Sequence, residues 1–184
     1  MGEWILKRKD LWQQARSVAK EPTIFSDLLV AIDTSEAAAC AVERAAELAE
    51  QLEARIVLLH VLNPASVIVA AELMQVYQPT FEELNQSGER LLREARQRIG
   101  GAVEVRTLML EGDPATQIIR AAADLQADLI FIGTDSRGRL AHFLLGSTAD
   151  AVIRRSPCPV VAVRRCAELI QHKSPRLRTS CATP

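Results

Sequence analysis

Asp128-Leu129-Ile130-Phe131-Ile132-Gly133-Thr134-Asp135-Ser136-Arg137-Gly138 is the stretch on which the fold turns. Its first half is an unbroken apolar run. It has none of the in–out alternation of a strand with one wet face, so it reads as a short strand buried on both sides. Its second half is small and polar and ends that strand, Asp128–Ile132, in a loop. Leu28-Leu29-Val30-Ala31-Ile32, stopped by Asp33-Thr34-Ser35, repeats the pattern, as do Arg55–Leu62, closed by Asn63-Pro64, and Val160–Val163. Val103–Leu110 alternates instead, which predicts a more exposed position.

Helical periodicity fills the intervals. Glu36–Leu52 is Ala-rich along one stripe and can be capped by Thr34 or Ser35. Thr80–Ile99 carries a charged face and meets Gly100-Gly101 as its stop. Asp113 stands as N-cap to a helix with Pro114 at its first position, running to about Leu125, and Ser147–Arg155 forms the last helix. The apolar interval at 65–79 has no clear punctuation. Buried strands separated by helices give an α/β fold, a parallel sheet covered on both faces in three layers. Right-handed crossovers and one reversal of strand order open a crevice at the carboxyl ends of the first and fourth strands. Asp33 and Gly133 stand at those two ends.

The composition narrows the chemistry. The chain has 184 residues, 48% apolar and 24% charged, enough for one cored domain. Aromatics at 4% argue against a base-stacking nucleic-acid platform, and a net charge of −1 offers no field for a polyanion. That near-neutrality divides unevenly: residues 1–26 are net +2 and residues 165–184 net +3, which leaves −6 on residues 27–164. Every lysine (Lys7, Lys9, Lys20, Lys173) lies in an end segment, so no middle lysine can serve a P-loop or a Schiff base. Cys40, Cys158, Cys166 and Cys181 show no zinc spacing and read as reduced thiols. No signal peptide or transmembrane run is present, which predicts a cytoplasmic protein without integral membrane association or nucleic-acid partner.

Three lookalikes of the decisive loop fail on single residues. Gly133 to Gly138 has Walker A spacing, but Arg139 and Leu140 stand where the lysine and the hydroxyl belong. Ser136 is one residue too late for a nucleophile elbow, and His142 is the only nearby histidine. No G-x-G-x-x-G occurs. What remains is Gly133, Ser136, nine further residues and Gly146-Ser147. This resembles the universal stress protein signature, G-x2-G-x9-G-(S/T), with Ser136 in place of the second glycine. Leu58-Leu59-His60-Val61, Gly112-Asp113-Pro114, Leu144-Leu145-Gly146-Ser147 and Ser156-Pro157-Cys158-Pro159 followed by Val160–Arg164 match that family in order and spacing.

The resemblance implies a single five-stranded parallel sheet in the order 3-2-1-4-5, of the adenine-nucleotide alpha-hydrolase-like type, over residues 27–164. It implies ATP or another adenine nucleotide, with or without Mg2+, across the switch point. Asp33 would accept from ribose hydroxyls, and Ala31, Val61 and Ile132 would line the adenine slot. Gly133 would let the chain approach the ribose, and Gly146, Ser147 and Thr148 would present helix N–H groups and a hydroxyl to phosphates. Ser136 narrows that approach and Asp135 repels phosphate, while Arg137 and Arg139 offer two guanidinium groups in compensation. A plain helix-capping role for Asp33 and a structural role for His60 stand beside these readings.

The family's last strand, here Pro159–Arg164, implies a homodimer across a two-fold axis. The expected role is stress response or regulation, not catalysis, because the crevice holds no acid–base pair. The alternative is a nucleotide-free homodimeric interaction module working through the dimer surface and the N-terminal helix, with an unknown protein partner. An ATP-pyrophosphatase reading fails because Asp33-Thr34-Ser35-Glu36 has no glycine. Outside the domain, Ile5–Lys20 in the N-terminal extension has amphipathic helical spacing, and residues 165–184 read as a basic flexible tail.

Overall fold

The chain pairs five strands side by side, all parallel, in the order β3-β2-β1-β4-β5 in a computed structural model that describes residues 25–64, 79–134 and 146–165. The strands are β1 (Asp27–Ile32), β2 (Arg55–Leu62), β3 (Val105–Glu111), β4 (Leu129–Gly133) and β5 (Val160–Val163). Among the described residues, the longer helices are α1 (Glu36–Leu52), α2 (Phe81–Ile99), α3 (Pro114–Asp124) and α4 (Ser147–Arg155). The expectations for the N-terminal helix, for the basic tail beyond Arg165, for the 65–78 interval and for the loop at 135–145 lie outside the described residues.

The strand order explains the sequence pattern. β1 lies at the centre, and Leu28, Leu29 and Val30 are each 0% exposed. Leu28, Val30 and Ile32 join one core with Cys40, Val42 and Ala45 of α1, while Leu29 and Ala31 join a second with Ile118 of α3 and Val152 of α4. Successive strand side chains point to opposite faces, so a strand between two helix layers must be apolar at every position. β3 is an edge strand in which only Val105 is buried, as its alternation predicts. It starts two residues later than the apolar pattern suggests, because its ladder with β2 opens at Ile56↔Val105 and closes at Leu62↔Glu111.

The two ends of the sheet differ. At the amino end, Asp128 Oδ2 accepts the backbone N–H groups of Ser26 (2.8 Å) and Asp27 (3.0 Å), and Arg55 reaches Asp27 Oδ2 at 2.7 Å. These charge-assisted bonds tie β1, β2 and β4 together where both acids are partly buried. The carboxyl end is open, and the crevice lies there.

One expectation is corrected. Cys40, buried in α1, is disulfide-bonded rather than a reduced thiol, and its partner lies outside the described residues. Sequence spacing does not show which distant cysteines a fold brings together. Cys158 is free and half-buried, and burial pushes its thiol pKa up, so it is a poor nucleophile. No helix among the described residues is long and apolar enough to cross a membrane.

Candidate functional site

Ser35 opens the site, because it ends β1 and starts α1 in a few atoms. Its hydroxyl accepts the Ala38 N–H at 3.1 Å as N-cap, and its own N–H donates to Asp33 Oδ1 at 2.9 Å. The second hydrogen bond leaves Asp33 Oδ2 as the carboxylate's remaining acceptor, on an exposed side chain at the mouth of the crevice. One Asp33 oxygen therefore holds the turn into α1, while the helix cap itself is Ser35.

A cleft of about 270 Å³ lies at the carboxyl ends of β1, β2 and β4, on the face covered by α3 and α4. Ala31, Val61 and Ile132 form its apolar floor. Asp33 and Gly133 stand at the strand ends, and Gly146, Ser147 and Thr148 close the side toward α4. Eight of the residues named from sequence thus converge on one cleft. Ser136 and Arg137 lie outside the described residues.

Sequence reasoning missed two lining residues of α3, Pro114 and Ile118. The signal was present in Gly112-Asp113-Pro114, which fixes where α3 begins. Asp113 Oδ1 accepts from Thr116 N–H (2.9 Å) and Oγ1–H (2.6 Å), and these bonds hold its carboxyl pKa below the ordinary 3.8.

The start of α4 is chemically different from the other helix starts. Ser35, Thr80 and Asp113 each cap a helix through a side-chain oxygen, with Thr80 and Glu83 forming a reciprocal capping box. Gly146 caps α4 with no side-chain bond. The N–H groups of Ser147, Thr148 and Ala149 therefore make no hydrogen bond among the described residues and sit at the positive end of the helix dipole. The lining includes Asp33 but no lysine or arginine. Any anion held there by described residues is held by backbone N–H and hydroxyl groups.

The two glycines at the cleft serve different needs. A Cβ on Gly133 would lie 2.5 Å from Ala38 N and 2.6 Å from Ala37 C, both backbone atoms of α1. Its bareness is required by strand–helix packing. A Cβ on Gly146 would meet nothing within 4 Å, and its backbone is ordinary extended chain at φ −63°, ψ 155°. Thr134, one residue past β4, is buried and donates both its N–H (2.7 Å) and its hydroxyl (3.2 Å) to the Val163 carbonyl. That double bond to β5 fixes where the following loop departs.

A larger cleft of about 470 Å³ lies on the opposite face, between α1 and α2. Asp33, Glu36 and Glu94 line it with one guanidinium, Arg98, so its field disfavours an anion.

Comparison with known proteins places this geometry. The sequence model of the universal stress protein family matches residues 25–164. The chain is 31% identical over 148 residues to universal stress protein YxiE of Bacillus subtilis, covering 77% of this chain and 100% of that one. A crystal structure of a universal stress family protein from Burkholderia pseudomallei is similar at 28% identity and TM-score 0.57, covering 77% of this chain and 98% of that one. A universal stress protein solved in complex with cAMP is similar at 26% identity and TM-score 0.57, covering 77% and 98%. With its signature glycines at one crevice and its sheet in the order 3-2-1-4-5, the chain belongs to the universal stress protein family.

Proposed function

We propose that the protein binds ATP or a related adenine nucleotide in the 270 Å³ cleft and acts in stress response or regulation. The observation that carries this reading is the start of α4, whose first N–H groups are unpaired among the described residues and border a cleft with an apolar floor. The base lies against Ala31, Val61 and Ile132, and Asp33 Oδ2 accepts a ribose hydroxyl. Gly146, Ser147 and Thr148 hold phosphate oxygens, joined by Ser136 and Arg137 from the loop. A related protein solved with cAMP supports the nucleotide class.

Among the described residues no group of three or more His, Cys, Asp or Glu is placed to hold a metal ion. Mg2+ would accordingly enter as the companion of the phosphates. The protein is read as a binder whose hydrolysis is slow and incidental: of the two titratable groups in the described lining, Asp33 holds the Ser35 N–H and His60 Nδ1 is engaged with the Ile32 carbonyl.

Two further parts of the proposal concern the molecule in its setting. The chain works in the cytoplasm. It forms a homodimer through Pro159–Arg164, because the outer edge of β5 is unpaired within the described residues. That same edge favours the second reading, a nucleotide-free interaction module.

Calorimetry of the full chain with ATP and AMP separates the two readings. Saturable binding that is abolished in Gly146→Leu is expected, since a Cβ there meets nothing within 4 Å and the added bulk stands beside the N–H groups proposed to hold phosphate. Absence of heat with both nucleotides at millimolar concentration overturns the nucleotide reading.

A further inference from the structure

A buried glycine in the middle of a helix weakens that helix by about 1 kcal/mol relative to alanine, so it needs a reason. Gly88 is buried in α2, on the face that meets the sheet. A Cβ there would lie 2.7 Å from Met109 Sδ of β3 and 2.9 Å from His60 Cδ2 of β2. The space a side chain would need is filled by a thioether and an imidazole edge. Met109 can swing away, whereas the imidazole has only two torsions with which to retreat.

The other side of that imidazole does specific work. His60 Nδ1 lies 2.9 Å from the Ile32 carbonyl oxygen. A carbonyl can only accept, so Nδ1 carries the proton and donates it. Ile32 is the last residue of β1, and Asp33 follows it directly. The open end of the sheet is therefore pinned, between β1 and β2, by a side chain that α2 holds from behind.

We propose that His60, seated by Gly88, is a positioning residue: it fixes the Ile32–Asp33 peptide and so aims Asp33 Oδ2 at the ribose hydroxyls. This rests on the nucleotide reading above and adds to it a residue that borders the same cleft and acts on ligand selectivity through β1. Losing the donor lets the strand end relax and weakens the hydroxyl contact while the base and phosphate contacts persist. The signature of the effect is selectivity for hydroxylated ribose.

The test compares ATP with 2′,3′-dideoxy-ATP on the full chain and three variants. In His60→Leu the ring's bulk is kept and the donor lost. ATP affinity is expected to fall about three- to tenfold, the range of one net hydrogen bond, with dideoxy-ATP affinity unchanged. In His60→Asn the amide Nδ2 stands in for Nδ1, and ATP affinity is expected within about twofold of the parent chain. Gly88→Ala, on a helix face remote from the cleft, is expected to act like His60→Leu, and combining the two adds nothing further. Equal losses for both nucleotides in His60→Leu overturn the proposal, as does an Asn variant no better than Leu.

A parent chain that binds neither nucleotide overturns the nucleotide reading. The coupling then stands or falls on hydrogen exchange at the Ser35 amide, whose partner is Asp33 Oδ1. Faster exchange in His60→Leu than in His60→Asn is the expected result, and equal rates overturn the coupling.

Discussion

Gly133 and Gly146 show how one residue type answers two demands within one motif. Gly133 is enclosed by α1 backbone, with Ala38 N only 2.5 Å from where a Cβ would stand. Backbone cannot swing aside as a side-chain tip can, so Gly133→Ala is expected to destabilise the fold by about 3 kcal/mol, the upper end for overpacking. Urea denaturation checks this; a loss under about 1 kcal/mol would mean that α1 yields easily. Gly146 has open space, so bulky substitution there is expected to leave the urea midpoint unchanged and to act on ligand alone. From sequence, Gly133 reads as a glycine that lets the chain approach the ribose, and Gly146 as the opening of a helix whose N–H groups face phosphates. A spacing motif does not distinguish a glycine kept bare by a neighbouring helix from one that borders open space. Asp33 was legible as a strand-end acid, and its Oδ1 holds the turn by accepting the Ser35 N–H.

Among the elements, boundaries set by side-chain caps were readable and those set by tertiary pairing were not. Ser35, Asp113 and Pro114 place two helix starts at the residues their chemistry predicts, and the Thr80–Glu83 capping box starts α2 one residue after the Thr80 that the periodicity gives. The start of β3 depends instead on its ladder with β2, so the apolar pattern places it two residues early. The α3 cap also carries a pH dependence. Hydrogen bonds from Thr116 depress the Asp113 pKa, so its contribution to stability is whole above the ordinary 3.8 and is lost as pH falls through the lower folded value. Asparagine caps equally well without titrating. The parent chain is therefore expected to lose stability relative to Asp113→Asn when denaturation at neutral pH is compared with denaturation below pH 3.8. An unchanged difference would show that the cap does not feel the titration.

At the scale of the whole molecule, the outer edge of β5 and the start of α4, both unpaired among the described residues, are the features most open to a second body. Ile130 N–H donates to Pro159 O and Thr134 N–H to Val163 O. Odd-numbered residues of β5 thus face β4, and Val160 and Ala162 turn their backbone groups outward. On the proposed dimer, Ala162→Pro removes an outward N–H without touching the β4 ladder and is expected to yield monomers of nearly parental stability. Sedimentation equilibrium reads this, and a parent chain already monomeric overturns it. The architecture was largely legible because apolar runs and helical periods alternate along the whole domain; the disulfide at Cys40 was not, because no spacing encodes it. The start of α4 has a last consequence. If a bound phosphate completes that helix end, as proposed, folding and ligand become thermodynamically linked. At a free nucleotide concentration a hundredfold above the dissociation constant, the folded state would gain about 2.7 kcal/mol. The melting temperature of such a chain would follow the adenylate level of its surroundings, making stability itself the signal.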